Sequence, residues 1–464
     1  MLLEKKLIEE LLDAGLSRGA DFSEIFVEDT KMTTLQSMSG RLEKVNSDKQ
    51  FGVGIRLAKN FQTVYGYTNS KDPKDLLKLA DDLSKSFSVD VITKRVPLLE
   101  LEIGKRHGAK IKPSDVSLAE KVAFMKKAYQ VAADYDEVIK QVIVYNIDVE
   151  QSVLIANSEG RFVSETRYRV RTGINAVASR DGVMQTGGEA PGSGKGYEYL
   201  FEEIDIEEYA RSAAKIAVTM LNAEECPGGV MPVVIHNGFG GVIFHESCGH
   251  PLEASSVAKN ASVFCGKMGE KVASDIVTAI DDGTIENRWG SANFDDEGYP
   301  QQRRVLIEKG ILKSYMVDKI NGRRMKTEPT GSSRRQSYKF APTSRMSNTY
   351  IDNGESTVEE IIAATEFGLF AKKLGGGSVN PGNGDFNFAV MEGYMIRDGK
   401  IAEPVRGASI VGNGGNILYK IDMIANNLES ARGMCGSSSG SIPADVGQPT
   451  LRVTGVTVGG KRGA

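Results

Sequence analysis

The chain has 464 residues, with 57 Lys and Arg against 61 Asp and Glu, four His and four Cys, a net charge of −4 and a pI near 5.8. That length holds two or three domains and a sizeable core. A near-neutral charge without a basic block gives no footprint for nucleic acid, and four scattered cysteines, Cys226, Cys248, Cys265 and Cys435, exclude a disulfide scaffold and suit a reducing compartment.

Residues 1–12 interleave acids and bases, which predicts an amphipathic helix and not the apolar core of a secretory peptide. Helical spacing appears at 2–12, 73–87, 117–133 and 206–221, with Ser114 and Asp115 as capping chemistry for the third helix. Between them, 24–28, 51–57, 141–150 and 161–178 alternate like half-buried strands. Strands and helices in blocks, without regular βαβ alternation, predict an α+β fold. Only 16 of the 51 glycines precede residue 227. The break at Glu225-Cys226-Pro227-Gly228-Gly229 therefore divides an N-terminal region of helices and antiparallel strands, 1–226, from a Gly-rich, mostly-β domain, 227–464. A weaker break spans 88–112. Beyond the main boundary, turns at Asp282-Gly283, Lys309-Gly310, Asp352-Asn353-Gly354 and Asp398-Gly399 separate short strands, interrupted by one helix at 357–367. The most apolar stretch, 230–244, contains Pro232, His236 and Asn237 and is shorter than the ~20 apolar residues of a spanning helix. A cytoplasmic chain without membrane contact is the expectation.

Two of the four histidines fall in His245-Glu246-Ser247-Cys248-Gly249-His250, a cluster that chance would place about 0.005 times in this composition. Two imidazoles and a glutamate beside the first are the parts of a hydrolytic zinc centre, in which the glutamate accepts a proton from water. The spacing is unusual: residues i and i+5 stand about 140° apart on an ideal helix, against about 40° for i and i+4. A single π-type turn restores one face, and Gly249 with Pro251 loosens the helix at the second histidine. An irregular helix is therefore predicted. A third ligand must come from elsewhere, because Cys248 lies about 60° beyond His245 and reads as a small buried hydrophobe. Glu253, Cys265 and Cys435 remain, with Cys435 ahead because its flanking glycines allow close backbone approach.

The stretch Gly238 to Ala254, with the HExxxH pattern at its centre, resembles the signature of the TldD branch of the TldD/PmbA (TldD/TldE) metallopeptidases. The resemblance continues through Asp295-Asp296-Glu297-Gly298, the segment 331–338, Arg345-Met346-Ser347-Asn348-Thr349-Tyr350, Gly433-Met434-Cys435-Gly436 and Gly447-Gln448-Pro449-Thr450-Leu451. It implies zinc bound by His245, His250 and Cys435, catalysis by Glu246, short or unfolded polypeptides as substrates, and a dimeric enclosure made with a PmbA/TldE-like subunit or a second copy. The chain departs from the family at Ser247, where Ala is usual, at Pro251, where Gly is usual, and across 437–446.

Tyr338, Tyr350, Arg334 and Arg335 are candidate oxyanion partners, although such residues are more often structural. The glycine-rich run 375–385, beside the strand-like 386–391, could receive an extended peptide as an added strand or be an ordinary surface loop. Two rival readings are a structural zinc protein, with a fourth ligand from Cys248, Cys265, Glu253, His236 or His107, and a regulator of DNA topology. The second would need the arginines at 303, 304, 323, 324, 334, 335 and 345, which are interleaved with polar and acidic residues and read instead as a solvated or dimer-facing surface. His107 is expected to be exposed. His236 is expected to be a satisfied strand-end group, with an orienting role toward a zinc histidine as the sharper alternative.

Overall fold

A computed structural model describes residues 2–87, 93–101, 104, 106–379 and 384–461. The fold is mixed α+β and contains several sheets. In the N-terminal half, five antiparallel strands, four of them long, run in the order Gln62–Thr68, Arg41–Lys59, Phe22–Met38, Ile139–Asn157, Arg161–Arg180, with Val183–Glu189 folding back on the last. Side chains alternate between the faces of such a sheet. Ile25 and Val27 join the core beneath helices Lys5–Leu16 and Pro73–Ser84, while Phe26, between them, packs on Phe294 and Tyr338 of the C-terminal half. Helices Leu118–Ala133 and Ile206–Leu221 cover the other end of the sheet through an alanine-rich core.

The C-terminal half contains a small barrel that no short-strand reading anticipates. Strands Phe367–Val379, Gly229–Ile235, Leu451–Gly459, Ser409–Asn413 and Asp385–Arg397 pair in that order, and the last pairs back to the first. Closing a sheet removes its free edges. A six-stranded sheet lies beside the barrel and ends in the hairpin Glu429–Ser437 with Gly440–Gln448. One large core runs from Cys226 to Val458 beneath both.

Several local expectations change. Ser117, not Ser114, caps the third helix: it accepts from the Glu120 amide while the Glu120 side chain accepts from the Ser117 amide, and residues 113–115 form a separate short turn. The helix expected at 357–367 stops at Ala363, and Phe367 opens a 13-residue barrel strand, so the C-terminal strands are not all short. The run 375–385 is the end of the long hairpin Phe367–Val379/Asp385–Arg397, with 380–383 outside the described residues. Of the weaker break at 88–112, residues 88–92, 102, 103 and 105 also lie outside them.

The arginines read as a surface divide. Arg334, Arg335 and Arg345 are buried. Arg335 pairs with Glu24 at 2.7 Å, and Glu24 also meets Arg56, which bridges to Glu297 at 2.6 Å. Arg335 thus pairs across the two halves of the chain, whereas Arg334 donates to the Met346 carbonyl and Arg345 faces Glu253, both within the C-terminal half. His107 is likewise not free: it is half-buried, and its Nδ1 accepts from the Asn287 amide at 2.9 Å.

Candidate metal centre

The strand Gly229–Ile235 leaves the barrel and enters a short 3₁₀ turn, Gly238–Gly241, followed by helix Val242–Phe244 and a π-turn, His245–Gly249. The π-turn is the device that the i, i+5 spacing requires. Its entry rests directly on the Cys435 hairpin, since a Cβ on Gly241 would lie 2.4 Å from the Gly447 carbonyl oxygen. Glycine is needed there for the approach of two backbones. Cys435 pairs with Ile442 in that hairpin, so strand register carries it to the two histidines.

His245 Nε2 lies 3.1 Å from Cys435 Sγ, and His250 Nε2 lies 3.2 Å from the same sulfur. All three ligand atoms fall within 4.8 Å of one another. Tetrahedral zinc with ordinary Zn–N and Zn–S bonds sets N···S distances of about 3.6 Å, so the donors fit after opening by about 0.4 Å. His245 and Cys435 are almost fully buried, while His250 faces a cavity of about 370 Å³ lined by Glu246, Pro251, Glu253, Val379, Gly436 and Ser437, among others. Glu246 Oε2 stands 3.7 Å from His250 Nε2 with its side chain about one-third exposed.

Electrostatics favour the ligand form of the cysteine. Burial opposes ionisation of Cys435, but the charges and hydrogen bonds of His245 and His250 outweigh it and bring the thiol down to about 4. Burial likewise opposes a charged His250, yet Glu253 and the Cys435 thiolate hold its pKa well above the usual imidazole range. Glu253 Oε1 sits 3.0 Å from His250 Nδ1, which leaves Nε2 as the atom aimed at the centre. Glu253, an open candidate for the third ligand, is therefore a support behind His250.

The other candidates lie elsewhere. Cys248 is buried against the Gly414 carbonyl, and burial pushes its thiol up to about 12, as befits a small hydrophobe. Cys265 bonds the Val257 carbonyl. His236 pairs through Nδ1 with Thr450 at 2.9 Å and packs edge-on against Phe370, away from the candidate ligands. Arg334 donates to the Met346 carbonyl, Arg335 is spent on Glu24, and Tyr338 packs over Gly52, so these three are structural. Tyr350 lies in the strand Asn348–Ile351 and lines a different cavity, beside Arg288 and Asp445. Arg345, passed over as a surface arginine, lies behind the centre; its place inside the Arg345–Tyr350 motif was the available signal.

Two imidazoles on a π-turn, a buried thiolate opposite and a carboxylate at the cavity define the donor set of a metal-dependent hydrolase. Family models match in three consecutive segments: PmbA/TldA metallopeptidase domain 1 at 23–87, the central domain at 111–221 and the C-terminal domain at 228–460. The chain belongs to the PmbA/TldD metallopeptidase family. A Metalloprotease TldD homolog from Haemophilus influenzae is 33% identical over 99% of this chain and 97% of its own length, and one from Buchnera aphidicola is 32% identical over 97% and 95%. A Zinc metalloprotease TldD homolog from Saccharolobus solfataricus is 31% identical over 56% of this chain and 59% of its own. The crystal structure of TldE from Thermococcus kodakarensis shares the fold at a TM-score of 0.77 and 19% identity, covering 97% of this chain and 99% of that one.

Proposed function

We propose that this chain is a zinc-dependent peptidase in which His245, His250 and Cys435 hold the ion and Glu246 moves the proton. The observation that carries the reading is the convergence of three ligand atoms within 4.8 Å, from a turn and a strand 185 to 190 residues apart, with Glu246 at the cavity side. When bound, the ion supplies Lewis-acid activation of a water and of a peptide carbonyl. Glu246 takes the proton of the attacking water and returns it to the leaving amine. Its partial exposure leaves it free to reorient, whereas Glu253 is held behind His250.

Among the described residues no fourth histidine, cysteine or carboxylate joins the cluster, which supports a catalytic over a structural site because a structural zinc takes four protein ligands. Family membership supports short or unfolded polypeptides as substrates and a dimeric enclosure, formed with a PmbA/TldE-like subunit or a second copy. Four free cysteines support a reducing, cytoplasmic setting, and no helix among the described residues is long and apolar enough to cross a membrane. The test is metal analysis of the purified chain beside hydrolysis of an unfolded peptide, with and without chelator. Glu246→Gln is expected to keep the metal and lose at least about 10²-fold in kcat; turnover near wild type would remove Glu246 from the chemistry.

A further inference from the structure

We propose that Arg345 and Glu253 form a buried bracket that positions the Cys435 strand against His250, an inference that rests on the metal-site reading above. Arg345 is fully buried. Its Nη2 donates to the carbonyl of Cys435 at 2.5 Å, and its Nη1 donates to Ser439 Oγ and to the Gly440 carbonyl, both at 3.0 Å. Three acceptors around the hairpin tip are thus held by one planar guanidinium. On its other side, Arg345 Nε lies 3.8 Å from Glu253 Oε1, the same oxygen that meets His250 Nδ1. A path therefore runs from His250 through a hydrogen-bonded carboxylate, across an ion pair in which Arg345 Nε makes no hydrogen bond, and through the guanidinium to the backbone of Cys435.

The residues flanking Arg345 reinforce the path. Ser344 Oγ accepts from the Ser255 amide at 2.9 Å, just beyond Glu253. Met346 packs so tightly on the π-turn that a Cβ at Gly249 would lie 2.2 Å from its sulfur. Segment 344–346 therefore touches both arms of the site and is itself anchored, with the Ser344 amide on Asp318 and the Arg345 amide on the Ser332 carbonyl. Burying a guanidinium is costly, and well-packed apolar residues often do as well for stability alone. The arginine at this point serves geometry, since its preorganised fork fixes several acceptors at once where lysine offers a rotating point charge.

The test is a Co²⁺ titration of the metal-free full chain, reading affinity and the near-ultraviolet thiolate-to-cobalt band. Wild type is expected to bind with that band; a wild type without it would sink the metal-site reading itself, whatever the variants do. Given that band, Glu253→Ala is expected to weaken Co²⁺ binding by about 10- to 100-fold, with Glu253→Gln restoring most of the loss by keeping an acceptor for His250 Nδ1. Arg345→Met is expected to lower the thiolate band per bound cobalt, and Arg345→Lys to fall between; if the Met variant does not fold, the Lys variant carries the readout. The two sites should also be non-additive, as neighbours in one network are. Folded variants that lose thermal stability but keep wild-type affinity and band would overturn the bracket and leave a purely structural arginine.

Discussion

Without metal, burial opposes both charges, but His245 and then His250 favour a Cys435 thiolate, while Glu253 and then that thiolate favour a protonated His250. An imidazole must be neutral to coordinate, so metal uptake has to expel the His250 proton, whereas Cys435 has none to give above about pH 4. Affinity is therefore expected to rise with pH through the neutral range, with a proton released from His250 and none from Cys435, and to fall more steeply below about pH 4. Calorimetry in buffers of different ionisation enthalpy counts those protons; uptake with no release would contradict the charged pair. His250 was legible in the sequence because two of the four histidines fall within six positions, whereas Cys435 stood only slightly ahead on its flanking glycines until the family resemblance favoured it. Glu253 was legible only as a rival ligand, since spacing does not reveal which ring nitrogen a carboxylate will face.

The element that makes the site is the π-turn, and its packing gives a paired test. A Cβ at Gly414 would lie 2.3 Å from the Ser247 carbonyl oxygen, inside the turn between the two histidines, whereas a Cβ at Gly436, next to Cys435, would meet nothing within 4 Å. Gly414→Ala is expected to displace the turn, weaken metal binding at least tenfold and cost about 1–3 kcal/mol, the range of an overpacked site. Gly436→Ala should change stability by less than about 0.5 kcal/mol. Denaturant unfolding and a metal titration on both variants decide the matter; equal effects would mean that proximity in sequence, not backbone contact, governs the site. The turn itself was readable, because i, i+5 ligands on a helix demand a π-type irregularity. The barrel was not. Its closure depends on Phe367–Val379 pairing with both Gly229–Ile235 and Asp385–Arg397, and local alternation holds no information about which distant strand completes a ring.

Across the whole molecule, the N-terminal sheet meets the C-terminal half through charges as well as apolar groups. Glu28 belongs to this contact: it accepts from the Tyr338 amide and is buried so deeply that its pKa rises to about 7, with the charge of Asp296 adding to the effect. Between about pH 4.5 and 7 the unfolded chain gives up a proton that the folded chain keeps, so this position's contribution is complete at acid pH and is lost as pH rises toward 7. Glu28→Gln is accordingly expected to raise the unfolding free energy by up to about 3 kcal/mol at pH 8 and to leave it unchanged at pH 4; an equal gain at both would show that the carboxyl is not perturbed. The interleaving of Arg334, Arg335 and Arg345 with acids could be read, but not its meaning, because buried, hydrogen-bonded arginines and a solvated surface share one composition. The separation of the ligands along the chain has a different consequence, one of timing. His250 is made 185 residues before Cys435, so a chain still emerging from the ribosome owns two histidines and a glutamate but no thiolate to complete them. On the proposed reading, the site would be completed only when the hairpin bearing Cys435 has docked against the π-turn, so its three ligands would come together late in the making of the chain.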